Sequence, residues 1–117
     1  MNKTYDLLER TSVFGENVIR FCLSLPRTVV TTPLIYQLVK AGTSVGANYA
    51  EADNAESRPD FRHKISICRK ESKESYFFLR MIIAAVPEKE SEAGILQLEA
   101  KELNLIFNSI YQKTKDK

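Results

Sequence analysis

The sequence predicts an all-α protein folded as an up-down-up-down four-helix bundle. Apolar residues recur at spacings of three and four along four separate segments, which is the period of one helical face. Prolines and capping residues border these segments, and the links between them are short, as expected for antiparallel neighbours in a bundle. No segment has the length and alternation of a convincing β-strand. These observations together favour a helical bundle.

Length and composition fit one soluble domain. The chain has 117 residues, of which 44% are hydrophobic and 27% charged, values that argue against disorder. No apolar run approaches the ~20 residues needed to span a bilayer, and residues 1–10 lack the apolar core of a signal peptide. Cys22 and Cys68 fall within predicted helices, so we expect reduced core residues and no disulfide. The sequence therefore predicts a single domain over residues 1–117 of a cytoplasmic protein without a membrane segment.

The first helix is predicted over residues 5–25. Asp6 and Glu9 have the spacing of a capping box, and Pro26 ends the segment. The apolar face consists of Leu7, Thr11, Phe14, Val18, Phe21 and Leu25. Residues 27–32 are too few and too isolated for a sheet, so they are expected to form an ordered crossing loop.

The second helix is predicted over residues 33–55, with Thr32 as N-cap and Pro33 at the first helical position. Its middle, AGTSVGA, is unusually rich in small residues. A glycine inside a helix costs up to about 1 kcal/mol relative to alanine. Gly42 and Gly46, four residues apart, therefore indicate that another backbone comes close to this face.

The third helix is predicted over residues 58–86, with Ser57 as N-cap and Asp60 completing a box-like start. Its core face consists of Phe61, Ile65, Cys68, Ser72, Leu79 and Ile83. A second stripe within about 60° of arc is basic. This basic stripe consists of Arg58, Arg62, Arg69, Lys73 and Arg80, interleaved with Ser66 and Tyr76. Residues 76–83 are apolar on nearly every side, which indicates a central helix or a contact between subunits.

The fourth helix is predicted over residues 89–113, after a break at Pro87. Its seam is expected to contain Leu96, Ala100, Leu103, Phe107 and Ile110, widened by Ile95, Leu98, Ile106 and Tyr111. Glutamates near its start and lysines near its end complement the helix dipole. Four such helices complete the predicted bundle.

Sequence patterns typical of common enzymes either lack the required structural setting or are incomplete. Residues 42–46 form a literal G-x-S-x-G, but a nucleophile elbow needs a turn between a strand and a helix, and this segment lies inside a predicted helix. His63 is the single histidine, so the paired Glu-x-x-His ligands of a di-metal bundle are absent. Cys22, Cys68 and His63 lack zinc-ligand spacing, and no phosphate loop occurs. We predict no catalytic residue, metal or cofactor.

Charge is distributed unevenly, although the net charge is only +2. Residues 58–80 carry seven Lys or Arg, whereas residues 88–102 carry five Glu against two Lys. Two interpretations of the basic stripe remain open. It is either a solvated face neutralised by glutamates of neighbouring helices, or a row of phosphate contacts in which Tyr76 stacks on a base.

Three strings bring a family to mind: AGTSVGANYAEA (41–52), DFRHKI (60–65) and RKESKES (69–75). They resemble the bacterial four-helix bundle proteins first associated with intervening sequences in 23S rRNA genes, and the resemblance extends over residues 5–111. It implies a ring-shaped homopentamer. It also implies a structural motif of Ser44, Asn48 and Glu51, and makes the basic stripe the candidate nucleic-acid surface. Relatives that serve diversity-generating retroelements imply RNA or DNA and a reverse transcriptase as partners.

Asn48 and Glu51, three residues apart, are open to two interpretations from spacing alone. They either hydrogen-bond across a helix interface to the same neighbour or face solvent as a pair. The failed motifs disfavour a third hypothesis, an enzyme, and two function hypotheses remain beside it. One is a non-enzymatic oligomer that binds RNA, DNA or a ribonucleoprotein through the basic stripe, and the other is a protein–protein scaffold or adaptor that binds no nucleic acid.

Overall fold

The computed structural model describes residues 6–115, and within them the chain is helical with no strand. The elements in chain order are α1 (Leu7–Leu23), α2 (Thr31–Asp53), α3 (Arg58–Ala85), a 3₁₀ turn (Pro87–Lys89) and α4 (Glu90–Lys115). The prediction of an all-α chain with four helices is therefore confirmed.

Consecutive helices are antiparallel neighbours. Gly46 in the second half of α2 lies against Thr11 in the first half of α1, while Gly42 lies against Val18 further along α1. α2 also packs along α3, and α3 packs along α4, whereas α1 and α4 make fewer contacts. This arrangement is an up-down-up-down order of helices, with α3 between α2 and α4.

α1 starts and ends with local hydrogen bonds that the sequence partly predicts. The Asp6 carboxylate accepts a hydrogen bond from the backbone N–H of Glu9 at 3.1 Å, as expected for an N-cap. The predicted start at residue 5 lies outside the described residues. The helix ends at Leu23 rather than at residue 25, because the N–H of Ser24 bonds to the carbonyl of Phe21 and closes a tighter last turn.

The predicted N-cap of α2 at Thr32 is wrong. The helix begins at Thr31, and Thr28 Oγ1 accepts hydrogen bonds from the backbone N–H groups of Thr31 at 3.0 Å and Val30 at 3.2 Å. In return, Thr31 Oγ1 accepts from the N–H of Thr28 at 2.9 Å. This reciprocal pair forms a variant of the capping box, in which a second threonine replaces the usual Glu or Gln.

α3 and α4 begin and end close to the predicted positions. Ser57 Oγ accepts a hydrogen bond from the N–H of Asp60 at 3.2 Å, which confirms the predicted cap of α3. α3 ends one residue earlier than predicted, and α4 begins one residue later and runs two residues further, to Lys115. The 3₁₀ turn Pro87–Lys89 connects them.

The core lies on the inner faces of all four helices. Burial of each large apolar side chain contributes about 1.5–3 kcal/mol. The largest fully buried apolar side chains are Phe14, Phe107, Leu38, Ile65, Leu79, Ile82, Leu103, Val18 and Val45. Ile95 and Leu98, predicted to widen the seam of α4, are 72% and 59% exposed. Their assignment to the seam is wrong. Ile95, one residue before Leu96, is turned about 100° away from it around the helix, and Leu98, two residues after it, is turned about 200° away.

No helix within residues 6–115 is long and apolar enough to cross a membrane.

Candidate nucleic-acid interface

The basic stripe lies along the side of α3 that borders α4. Arg69 and Lys73 line a cleft together with Asn104 and Asn108 of α4. Arg62 lies closer to the end of the bundle, where its guanidinium is 5.6 Å from the centre of the Tyr111 ring. Arg58 and Arg80, near the two ends of α3, are exposed. The stripe is therefore a continuous surface feature about as long as the helix.

The charges of the stripe are not neutralised within the described part of the chain. Among residues 6–115, no carboxylate oxygen lies within 4.0 Å of a side-chain nitrogen of any stripe member. By contrast, Arg10, Lys64 and Lys89 each contact a glutamate. Glu51, Glu99 and Glu102 of the neighbouring helices thus pair with cations outside the stripe. Like charges in a row create a positive potential that attracts polyanions.

Arg69 is the most constrained member of the stripe. Its Nε donates a hydrogen bond to Oδ1 of Asn108 at 2.8 Å. Its guanidinium carbon lies 4.1 Å from the centre of the Tyr111 ring, within the range of a cation–π contact. The amide and the aromatic ring, both supplied by α4, therefore fix the position of this charge.

α4 contributes a cation and polar groups that the sequence interpretation missed. Lys101 lies across from Lys73 and Tyr76 and lines a second cleft with Asn104. Lys101 was passed over because it stands in an acidic segment. The sequence nevertheless indicates a polar face on α4, because polar residues there recur at alternating spacings of four and three. This face consists of Gln97, Lys101, Asn104, Asn108 and Tyr111.

A wide recess lies at the end of the bundle where α2 connects to α3. It has a volume of about 700 Å³, and its walls include Arg58, Arg62 and Phe61. Asp53 and Glu56 line the same recess, so its charge is mixed. A polyanion would therefore be held less strongly there than over the middle of α3.

The three residues of the implied family motif lie on α2 and make mostly local contacts. Ser44 Oγ donates to the carbonyl of Lys40 at 2.7 Å, and Asn48 Nδ2 donates to the carbonyl of Ser44 at 2.9 Å. Glu51 alone reaches a neighbouring helix, with its carboxylate 2.6 Å from the Lys64 ammonium. Of the two interpretations of this pair, the cross-helix contact holds for Glu51, while the hydrogen bond of Asn48 stays within its own helix.

The residues of the candidate enzyme motifs lie inside helices. The G-x-S-x-G segment lies in the middle of α2. Within residues 6–115, no three His, Cys, Asp or Glu side chains are grouped so that they could hold a metal ion. Both cysteines are buried, and burial raises the pKa of Cys22 to about 11 and that of Cys68 to about 12. These thiols stay protonated at neutral pH and are poor nucleophiles.

The four helices of residues 6–115 and their antiparallel order place the chain among the four-helix bundle proteins. The chain belongs to the family described as 23S rRNA-intervening sequence protein, whose profile matches residues 3–114. The resemblance seen in the sequence is thereby confirmed.

One solved structure shows how closely the fold is shared. It is a protein of unknown function from the S23 ribosomal protein family of Bacteroides thetaiotaomicron, with a TM-score of 0.78 and 25% identity. The match covers 89% of this chain and 96% of that one. A comparison with functionally curated proteins finds no match.

Proposed function

We propose that the protein is a non-enzymatic, oligomeric helical bundle that binds RNA or DNA, alone or as a ribonucleoprotein, through the basic stripe. The observation that carries this proposal is the row of five cations without carboxylate partners in residues 6–115. Lys101 adds a sixth charge from the other side of the seam. A phosphate backbone supplies the missing counter-charges, and its binding releases condensed cations from the nucleic acid.

RNA is the first ligand to test. The family's description names an intervening sequence of 23S rRNA, and the description of the Bacteroides thetaiotaomicron structure names a ribosomal protein family. Tyr76, 40% exposed and next to Lys73 and Lys101, supplies a ring on which an unpaired base can stack.

Self-assembly into a ring-shaped homopentamer is part of the proposal. Phe77 on α3 is 51% exposed, and Ile95 and Leu105 on α4 are exposed as well. Burial of such side chains between subunits would favour association. A ring would also present several stripes to one polyanion, which raises avidity without any new contact. Light scattering at micromolar concentration should give about five times the subunit mass of 13.4 kDa, and a monomeric mass would count directly against assembly.

The decisive variant reverses two charges of the stripe, one near the start of α3 and one near its middle. Arg62→Glu with Arg69→Glu should weaken binding to structured RNA at low salt by at least about a hundredfold, because phosphate contacts are lost and repulsion replaces them. The control is Arg20→Glu with Arg27→Glu, which changes the net charge equally but lies on α1 and the following loop. We expect the control to stay within about threefold of wild type, since distant surface charges are screened. Unchanged affinity in the stripe variant would sink the proposal.

The alternative function is a protein–protein scaffold or adaptor, with a reverse transcriptase among the candidate partners. It is favoured by an apolar strip on the outer faces of α1 and α2, where Leu8, Ile19, Leu23 and Tyr36 are 40–71% exposed. A defined protein partner that co-purifies after nuclease treatment, and still does so with the charge-reversed variant, would favour this alternative.

A further inference from the structure

We propose that the cleft between α3 and α4 at Arg69 is a phosphate-binding site, in which residues of α4 hold Arg69 ready for two-point contact with one phosphate group. This inference rests on the proposed function and deepens it, because it separates one organised site from the rest of the basic stripe. The ligand it predicts is the phosphodiester of a nucleic acid, and a free phosphate shares the same chemistry.

The contacts of Arg69 leave its outer edge available. Asn108 accepts from Nε, and Tyr111 covers one face of the guanidinium plane. Among residues 6–115, neither Nη1 nor Nη2 has a hydrogen-bond partner. The two terminal nitrogens of an arginine match the spacing of two phosphate oxygens. Because the plane is already fixed, less side-chain entropy is lost when the ligand binds.

A second layer fixes the amide that holds Arg69. Asn104 Nδ2 donates to the backbone carbonyl of Arg69 at 2.8 Å and to Ser72 Oγ at 3.2 Å. A carbonyl can only accept, so this bond sets the orientation of the Asn104 amide. Asn104 Oδ1 then accepts from Asn108 Nδ2 at 3.1 Å, which turns Asn108 Oδ1 toward the arginine. Asn104, Asn108 and Tyr111 are therefore positioning residues.

An asparagine at position 108 matters because it is neutral. An aspartate there would accept the same Nε–H but would also neutralise the guanidinium. With an amide, Arg69 is held in place and keeps its full charge for a ligand. The contrast is visible in the same molecule, where Arg10 is held by Glu99 and Glu102 and joins α1 to α4.

The surroundings of Arg69 fit a phosphate group. Ser66, Lys70 and Lys73 complete the cleft, so its walls carry three cations, a hydroxyl, two amides and no carboxylate. Its volume is about 270 Å³, which is below the range of about 300–1,000 Å³ typical of pockets for drug-sized ligands. The cleft suits a compact anionic group better than a whole apolar ligand.

The test compares three substitutions with matched controls. Asn108→Asp and Arg69→Lys should each weaken binding to structured RNA about tenfold or more, the first by neutralising the guanidinium and the second by removing the fork. Tyr111→Leu should weaken it less. The controls are Asn17→Asp and Arg20→Lys, since Arg20 Nη1 also bonds an asparagine, at 3.1 Å, but on the exposed face of α1. We expect both controls to bind as wild type does.

An NMR readout separates positioning from general structural damage. The Nε–H resonance of Arg69 should be resolved and slow to exchange in the free protein, and Asn108→Ala should restore rapid exchange while the circular dichroism stays helical. Titration with pyrophosphate should shift this resonance in wild type.

The outcomes distinguish the inference from the function on which it rests. If the double charge reversal abolishes RNA binding while Asn108→Asp and Arg69→Lys bind normally, the stripe is a binding surface and the inference is overturned. If wild type binds no nucleic acid but pyrophosphate saturates the Arg69 shift, the site stands with a free phosphate as its ligand and the proposed function fails. Absence of both responses overturns both.

Discussion

The seam between α1 and α2 and the seam between α3 and α4 are built from opposite kinds of residue. In the first, Gly46 allows two backbones to come close, since a Cβ there would lie only 3.2 Å from the carbonyl oxygen of Thr11. Gly42 makes room for the Val18 side chain, which would lie 3.0 Å from a Cβ at that position. In the second, long and polar side chains such as Arg69 and Asn108 keep a cleft open between the helices. The groove that remains along the first seam, of about 340 Å³, is lined by small and apolar residues together with Glu16, and within residues 6–115 no cation lines it. The second seam presents cations and amide groups to solvent.

If the proposed function holds, the difference separates stability from recognition within one small bundle. A seam in which glycines bring two helices together gains van der Waals contact, and among the described residues this one offers a polyanion no cation. A seam with unpaired cations gains less from packing but keeps charge available for a polyanion. Substitutions in the first seam should therefore change the free energy of unfolding, and substitutions in the second should change affinity.

The largest effect is expected when a side chain is introduced into the α1–α2 seam. Gly46→Val should lower the free energy of unfolding by about 1–3 kcal/mol, because its side chain has no space against the α1 backbone. Chemical denaturation measures this loss. RNA affinity of the folded variant, measured well below its melting temperature, should match wild type. Wild-type stability would show that the two backbones are not in close contact.

A smaller effect, on RNA affinity, is expected when Lys101 is removed from the α3–α4 seam. Lys101→Ala should weaken RNA binding about fivefold and make the log–log salt slope shallower by about 0.7–0.9, the contribution of one phosphate contact. Lys113→Ala is the control, because Lys113 lies on a different face of α4 and lines neither cleft. Equal effects of the two substitutions would mean that general charge, and not the seam, determines binding.

The smallest effect is expected at Gly94, which distinguishes glycines needed for packing from glycines that are not. A Cβ on Gly94 of α4 would meet nothing within 4 Å, so this glycine serves no close approach. Gly94→Ala should raise the free energy of unfolding by about 0.5–1 kcal/mol, because alanine loses less backbone entropy in a helix. A thermal melt that moves downward would contradict the idea that only the α1–α2 glycines are needed for packing.

The features predicted from sequence are those that depend on local spacing. The four helices, the Ser57 cap and the single face shared by the basic stripe follow from a period of 3.6 residues and from capping chemistry. The close backbone approach was also predicted, because a glycine pair in a helix interior needs a reason. It holds at Gly46, whereas Gly42 makes room for the Val18 side chain. These features require no knowledge of which helix lies beside which.

The features that were missed depend on tertiary register or on an unusual residue at a familiar position. The cap formed by Thr28 and Thr31 lacks the acidic or amide residue by which a capping box is recognised. The role of Asn108 appears only when α4 is placed beside α3, since its partner is 39 positions away in the chain. Ile95 was assigned to the core on its apolarity alone, although its angle on α4 points to solvent.

Binding of a phosphate backbone at the seam between α3 and α4 can be measured directly. The most direct measurement is the affinity of the nuclease-treated protein for structured RNA and duplex DNA across a salt series. We expect binding at low salt that weakens steeply as salt is added, with a log–log slope of about −0.7 to −0.9 for each of several phosphate contacts. No binding at low salt, or an affinity that does not change with salt, would contradict it.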